Sequence, residues 1–173
     1  MITVKRLPDK DEAARGVRLA ADNAAGLLSD ADTLAATGRY SSALSLVVLA
    51  FEESVKARTL GAIVAAAAVG LPVGFNDRTL RQVIYSGHKI RHRVGAIQHL
   101  AVTSAEEPMV SELARIISSM NTAKQLGFYV DFDPDSGAWT APGNTTKAEF
   151  EEFRTLVGDY VNETKRQINA SGL

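Results

Sequence analysis

The pattern of hydrophobic and polar positions predicts a chain built almost entirely of helices. Apolar residues recur with a helical period, and alanine and leucine, both strong helix formers, are frequent in the periodic stretches. We predict helices over about residues 9–36, 40–69, 77–102, 104–126 and 146–169. Consecutive amphipathic helices with short connections pack together, so we expect one all-α domain over residues 1–173, folded as an antiparallel helical bundle of about five helices.

Several predicted helix ends carry residues that favour such positions. Glycines at positions 38 and 70 are suited to end the first and second helices. Asn76 or Asp77 is suited to cap the third helix, inside which Gly87 predicts a bend. The spacing of hydroxyl and glutamate residues predicts a capping box at each of the last two helices, formed by Ser104 with Glu107 and by Thr146 with Glu149.

The segment between the last two predicted helices, residues 127–144, is too apolar for a disordered linker. It contains the only tryptophan of the chain, and we expect an ordered excursion that packs on the bundle. Residues 128–130 are predicted to form a short strand. Residues 131–137 share some features of a calcium loop, but Pro134 interrupts them and Pro142 stands where the final glutamate is needed, so a turn is predicted instead.

The predicted second helix carries charges in a stretch that is otherwise apolar, residues 45–57 (SLVVLAFEESVKA). On a helical wheel its apolar residues form two stripes, which predicts a helix buried in the bundle or at a subunit interface. Glu52 and Lys56 fall between the stripes, and Glu53 falls within the second stripe. Burial of an uncompensated charge is costly, so these side chains need partners. The pattern allows an intrahelical Glu52–Lys56 pair, or a polar site shared with basic groups of another helix.

The required basic groups are concentrated between residues 77 and 95. This segment has a charge of +4, in a chain whose net charge is −1. A solvated charged face is the commoner cause of such a pattern, but local basicity can also bind phosphate. The three histidines of the chain fall in this segment or just after it, on one helical face. The basic and histidine residues are Arg78, Arg81, His88, Lys89, Arg91, His92, Arg93 and His99.

Two kinds of chemistry compete for this basic segment. His88 and His92 have the spacing of a zinc pair, but the glutamate that follows the first histidine in zincins is missing. The neighbouring cations also disfavour a dication, so we expect no metal and no other cofactor. Arg81 and His88 offer the second chemistry, because an arginine can hold a scissile phosphate while a histidine moves protons near neutral pH. Such a pair could cleave RNA without a metal ion.

The composition narrows the class of protein. Hydrophobic residues make up 46% and charged residues 23% of the chain, which is typical of a globular domain. The chain has no cysteine, which excludes disulfides, thiolate metal sites and cysteine catalysis. The first residues lack the apolar core of a secretory signal, and the longest apolar run, residues 61–71, is too short to span a bilayer. We therefore expect a soluble cytoplasmic protein without membrane contact.

Three groups of residues resemble motifs of the AbiV family, the abortive-infection proteins of the HEPN superfamily. Residues 38–40 (GRY), Ala43 and residues 50–57 (AFEESVKA) resemble a helix of the form GxY…A…EExxKA. Residues 88–91 (HKIR) are similar to an HKxK motif, with arginine in the last place. Residues 128–142, which begin FYVD and end in proline, resemble a YVD…P segment. The three groups occur in the family's order and span about residues 20 to 165.

The resemblance implies an α-helical HEPN bundle, often dimeric, with a role in defence against phage. Many HEPN proteins are metal-independent ribonucleases with an arginine and a histidine separated by four to six residues, a spacing that Arg81 and His88 match. Two positions depart from the pattern. Gln82 follows the arginine where a small polar residue is usual, and Val55 replaces the glycine that usually precedes the motif lysine.

Two functions follow from this resemblance. The first is a toxin-like endoribonuclease that stops translation, in which a homodimer brings its Arg81 and His88 side chains together and Glu52, Glu53 and Lys56 orient them. The second is a non-catalytic defence effector that binds RNA, a nucleotide or a phage protein. In that case the charged side chains form a structural network, for which the candidates are Glu52, Glu53, Lys56, His88, Lys89, Arg91 and His92. An antitoxin is a further expected partner.

Overall fold

The computed structural model describes residues 6–72, 76–85, 91–95, 98, 119–120, 122, 124–125 and 127–173. Four helices have defined bounds: α1 (Lys10–Ala36), α2 (Tyr40–Val69), α3 (Asp77–Tyr85) and α4 (Lys147–Ala170). Two further stretches are helical, which we name the 91–98 segment (described residues 91–95 and 98) and the 119–128 segment (described residues 119–120, 122, 124–125 and 127–128). Two short strands, β1 (Asp131–Asp133) and β2 (Ala138–Thr140), precede α4. The predicted all-α bundle with a short strand before the last helix is confirmed.

Helices α1 and α2 form an antiparallel pair joined by residues 37–39. The start of α1 packs on the end of α2, since Ala13 and Val17 share an apolar cluster with Leu60 and Ile63. The connection is tight because Gly38 adopts a left-handed conformation with φ of 78°, as its predicted place at the helix end requires. The bounds of both helices agree with the sequence prediction.

Helix α2 is the centre of the fold and is buried around most of its circumference between Ser41 and Val64. Helix α4 lies along it in the same direction, because the Tyr40 and Phe150 rings are 6.0 Å apart and the Phe51 and Tyr160 rings are 5.0 Å apart. The 119–128 segment ends at the start of α2, where Gly127 contacts Ser41, and Thr145 just before α4 donates its N–H to the Ser41 hydroxyl. Apolar residues of α1, α2 and α4 form the largest core cluster together with Val83, Val94 and Met120.

Capping boxes begin both outer helices. Thr146 and Glu149 form the predicted box at α4, and Asp9 forms one with Glu12 at α1. Glu12 is also ion-paired with Arg6. The hydrogen bonds from the Arg6 side chain and the Asp9 backbone lower the pKa of Glu12 from 4.5 to about 2. At α3 the Asn76 side chain accepts a hydrogen bond from the Thr79 N–H, so it caps this helix as predicted.

Two glycines allow the remaining helical segments to approach α2 closely. A Cβ atom at Gly127 would overlap the Ser45 hydroxyl and the Ser41 carbonyl group, and one at Gly95 would overlap Phe51. Ser45 donates a hydrogen bond of 3.0 Å to the Lys124 carbonyl oxygen across the first of these contacts. The predicted bend at Gly87 and the predicted capping box of Ser104 and Glu107 lie outside the described residues.

The strand prediction for residues 128–130 is wrong. Helical structure continues through Phe128, and the Tyr129 N–H donates to the Gln125 carbonyl, because Gly127 packs the segment against α2. The strand lies at Asp131–Asp133 instead and pairs antiparallel with Ala138–Thr140. Residues 134–137 form the predicted turn, with Gly137 at φ of 68°. We name residues 128–140 the aromatic hairpin.

The aromatic hairpin is ordered, but its large side chains do not pack on the bundle as predicted. Trp139 is 71% exposed and Tyr129 is 65% exposed, and Phe128, Val130 and Phe132 are also exposed. Phe132 and Trp139 face each other across the strands, with their ring centroids 5.2 Å apart. The aromatic rings therefore stabilise the hairpin itself and leave much of their surface in water.

Candidate functional site

A buried carboxylate lies in the middle of α2. Glu52 is 1% exposed, although it sits among the apolar residues that form the largest core cluster. It points inward because α2 is covered on this side by the 91–98 and 119–128 segments, each of which supplies a cation. A charge at this depth is tolerated only where partners replace the lost water.

Within the described part of the chain, three basic side chains contact the Glu52 carboxylate. Lys124 Nζ lies 2.8 Å and His92 Nε2 lies 3.1 Å from Oε1, and Arg91 Nη1 lies 3.5 Å from Oε2. All three partners are largely buried, with Lys124 the most accessible at 13% side-chain exposure. Since Arg91 and Lys124 both contact the carboxylate, it acts as an acceptor and His92 donates its Nε2–H.

Arg91 has a second role at the end of α3. Its Nε donates to the Val83 carbonyl at 2.6 Å, and its Nη2 lies 3.4 Å from the Ile84 carbonyl. The last carbonyl groups of a helix lack partners within the helix and carry partial negative charge, so a guanidinium group suits this position. Arg91 thereby joins the end of α3 to the centre of α2.

An outer ion pair covers the buried one. Lys56 Nζ contacts Glu53 Oε1 at 2.6 Å, and Glu53 Oε1 lies 4.0 Å from Arg91 Nη1. The intrahelical pair is therefore Glu53–Lys56. Of the two alternatives that the sequence left open, Glu52 follows the second, because it turns inward to cations of other segments while Lys56 stays nearer the surface. We name Glu52, Glu53, Lys56, Arg91, His92 and Lys124 the buried charge cluster.

Of the remaining sequence-predicted residues, Arg81 has its described ion pair with a residue outside the cluster, and the other two are not described. Arg81 is on α3, where its Nη2 lies 3.3 Å from Asp77 Oδ2 and its side chain is 32% exposed. His88 and Lys89 lie outside the described residues, so their place relative to Arg81 and Glu52 stays a prediction. Of the eight predicted residues, the structure brings together Glu52, Glu53, Lys56, Arg91 and His92.

Lys124 belongs to the cluster but was missed by the sequence analysis. Its distance in sequence from the EExxK stretch and from the basic segment gave no reason to link it to either. The only signal is indirect, since a buried glutamate that is followed by a second glutamate needs several cations. The family resemblance did not include this lysine.

A second polar group lies one to two turns further along α2. Arg58 stacks over the Tyr160 ring, with its guanidinium carbon 4.1 Å from the ring centroid, and its Nε donates to Thr164 Oγ1 at 2.9 Å. The Tyr160 hydroxyl donates to Gln98 Oε1 at 2.6 Å. Burial raises the pKa of Tyr160 above its ordinary value, so the phenol stays protonated and keeps this donor.

The geometry of the buried charge cluster favours a structural role. With neutral His92, its two acids and three fixed cations sum to a charge of +1. The His92 Nε2 is occupied by Glu52, and the side chain is 5% exposed, so a substrate has no direct access to this nitrogen. What the arrangement does directly is join α2 to α3, to the 91–98 segment and to the 119–128 segment.

Two properties of the described residues bear on binding partners. No group of three or more histidine, aspartate or glutamate side chains in this part of the chain could hold a metal ion. Among the helices that the structure describes, none combines the length and the apolar character needed to cross a membrane.

Comparison with known proteins gives one match. Searches of curated proteins and of solved structures found none. The sequence model of the AbiV family of HEPN domains matches residues 12–162, which include α1, α2, α3, the aromatic hairpin and most of α4. The matched range thus contains the buried charge cluster and all of the sequence motifs that suggested this family. The chain belongs to the AbiV family of HEPN abortive-infection proteins.

Proposed function

We propose that this abortive-infection protein acts by binding a basic polypeptide segment of a partner protein through the aromatic hairpin. One observation carries the proposal: five large apolar side chains of residues 128–139 are between 41% and 71% exposed. Exposed aromatic clusters mark interaction sites, and tyrosine and tryptophan are the residues that most often dominate binding energy.

The charge of the hairpin indicates which class of partner it binds. Residues 128–140 contain three aspartates and no lysine or arginine. The negative charge of these aspartates repels the phosphates of RNA or a nucleotide, which basic side chains bind. It attracts lysine and arginine side chains, which also interact favourably with exposed aromatic rings. A basic segment of a protein therefore matches the hairpin better than a nucleic acid does.

The buried charge cluster also supports this proposal, because its side chains are not accessible to a partner. Glu52, Arg91 and His92 satisfy one another and are each less than a tenth exposed. They hold the bundle that carries the hairpin, and they are not arranged to contact a partner. In this proposal binding requires the hairpin, and the cluster is required only for stability.

The test compares two exposed residues in infected cells. Trp139→Ala should abolish protection against a phage that the wild-type protein restricts, with an unchanged melting temperature. Leu19→Ala is the matched control, because Leu19 is 72% exposed on α1 and outside the hairpin. Full protection by Trp139→Ala, or equal loss of protection with Leu19→Ala, would contradict the proposal.

A metal-independent ribonuclease is the second candidate function. It is favoured by the position of Arg81, whose partly exposed guanidinium group lies on α3 within the basic segment, six intervening residues before His88. Purified protein should then cleave total, transfer or ribosomal RNA in EDTA, and His88→Ala and Arg81→Ala should abolish cleavage without unfolding the protein. Sedimentation tests the homodimer that this mechanism requires. Protein that protects cells yet leaves all three RNAs intact would reject the nuclease.

A further inference from the structure

An apolar groove of about 440 Å³ runs between the second half of α2 and the end of α4. Its α2 wall consists of small residues, and its other wall includes two larger aliphatic side chains. The residues concerned are Ala57, Gly61, Ala62, Ala65, Ile168 and Leu173. The volume lies within the range of small-molecule pockets, and the groove lies away from the buried charge cluster and the aromatic hairpin.

Among the described residues that line this groove, Arg58 is the only one with a charged side chain. It is held in place from two sides, by the Tyr160 ring against its plane and by Thr164 at its Nε. Thr164 is itself fixed, because its hydroxyl donates to the Tyr160 carbonyl at 2.7 Å. The guanidinium group is therefore oriented before any ligand arrives.

Within the part of the chain that the structure describes, no carboxylate pairs with Arg58. Its partners there are neutral, namely Thr164 at Nε and the Tyr160 side chain, whose hydroxyl also interacts with the guanidinium group. Other arginines that the fold holds in place have a carboxylate partner, for example Arg154, which binds both oxygens of Asp32 at 2.7 and 2.8 Å. Two parallel N–H groups on a fixed guanidinium match the two oxygens of a carboxylate.

We propose that this groove binds a small amphiphilic carboxylate, with its head group on the Arg58 guanidinium group and its apolar tail along Ala57, Gly61 and Ile168. A single arginine neutralises a monoanionic head group, whereas a phosphate group with more than one charge is better matched by several cations. The small residues of α2 leave the space that the tail occupies. The inference does not depend on the function proposed for the hairpin.

Calorimetric titration of the full chain with decanoate, below its micelle concentration, tests the proposal. We expect saturable binding of one decanoate per chain and at least tenfold weaker binding of decanol and of decyltrimethylammonium. Arg58→Gln should weaken decanoate binding at least tenfold and should remove the preference for decanoate over decanol. Absence of saturable binding, or equal binding of decanol and decanoate, would overturn it.

A pair of glycine variants tests the tail site separately. Gly61→Leu places a side chain in the groove, and a Cβ at this position has no atom within 4 Å, so the variant should fold and lose decanoate binding. Gly26→Leu is the control, because Gly26 also has open space and lies on α1 outside the groove. It should bind decanoate as the wild type does. Undiminished binding by Gly61→Leu would refute this location for the tail.

Discussion

The buried charge cluster and the aromatic hairpin differ in the solvent exposure of their side chains, because the cluster buries charged groups and the hairpin exposes aromatic ones. In the cluster, Glu52 and its cations are removed from water and compensate one another. In the hairpin, Trp139 and its neighbours remain largely in water. The cluster links helical segments that are far apart in sequence, so the bundle depends on it. The hairpin contributes little to the bundle, which leaves its exposed side chains available for function.

The largest effect is expected when the buried carboxylate loses its charge. Among the described residues, Glu52→Gln leaves the buried Lys124 without an anionic partner and leaves Arg91 with only the more distant Glu53, so we expect the free energy of unfolding to fall by about 3–5 kcal/mol in urea denaturation. Glu53→Gln is the matched control, because Glu53 is nearer the surface and should cost no more than about 1 kcal/mol. Equal losses of unfolding free energy for the two variants would show that the burial of Glu52 does not increase its contribution to stability.

The second largest effect on the free energy of unfolding is expected at Gly127, where the chain passes from the bundle to the hairpin. Gly127→Ala places a methyl group against the Ser41 backbone and the Ser45 hydroxyl, so overpacking should lower the free energy of unfolding by about 1–3 kcal/mol. Gly26→Ala in α1 should instead raise it by about 0.5–1 kcal/mol, because the position is open and alanine favours the helix. A neutral Gly127→Ala variant would contradict the close contact.

The surface ion pair of Arg6 and Glu12 should have a smaller effect on stability than the buried charge cluster, and this effect should depend on pH. The pKa of Glu12 is about 2 in the folded protein, below its ordinary value of 4.5, because of hydrogen bonds from Arg6 and from the Asp9 backbone. A depressed folded-state pKa stabilises the protein above pH 4.5, and this stabilisation is lost as the pH falls towards 2. Glu12→Gln should thus lower the melting temperature at pH 7, and the difference from wild type should vanish near pH 2.

The smallest effect on stability is expected in the hairpin. Trp139→Ala removes the largest side chain of the protein, yet 71% of this residue is exposed, so the free energy of unfolding should change by about 0.5 kcal/mol or less. Chemical denaturation of this variant and of Glu52→Gln side by side is the direct test of the comparison. A loss above about 2 kcal/mol for Trp139→Ala would show that the hairpin supports the bundle.

The parts of the fold that were predictable from the sequence carry local signals. Gly38, Gly70 and Thr146 determine a helix end through their own conformation or through a hydrogen bond within one turn. The ends of α1 and α2 and the start of α4 could therefore be predicted from them. The strand was misplaced by three residues because a tertiary contact, Gly127 on α2, prolongs the preceding helix. No local pattern encodes such a contact.

The candidate site was predictable only in outline. The charges within an apolar helix showed that Glu52 and Glu53 need cations, and the basic segment supplied Arg91 and His92. A helical wheel gives the side on which a residue lies but not its partner, which is why the sequence left Glu52 with two alternatives and did not identify the Glu53–Lys56 pair. Lys124 could not be predicted, because the orientation of its segment is set by packing.

The three-residue connection between α1 and α2 also bears on the route by which the chain folds. Residues 37–39 bring together two long helices at a small cost in chain entropy, whereas Glu52 meets Lys124 only after 71 intervening residues are arranged. Contacts between near neighbours form faster than distant ones. We expect amides of the α1–α2 pair to be protected first in pulsed hydrogen exchange during refolding, before the segment that carries Lys124 docks.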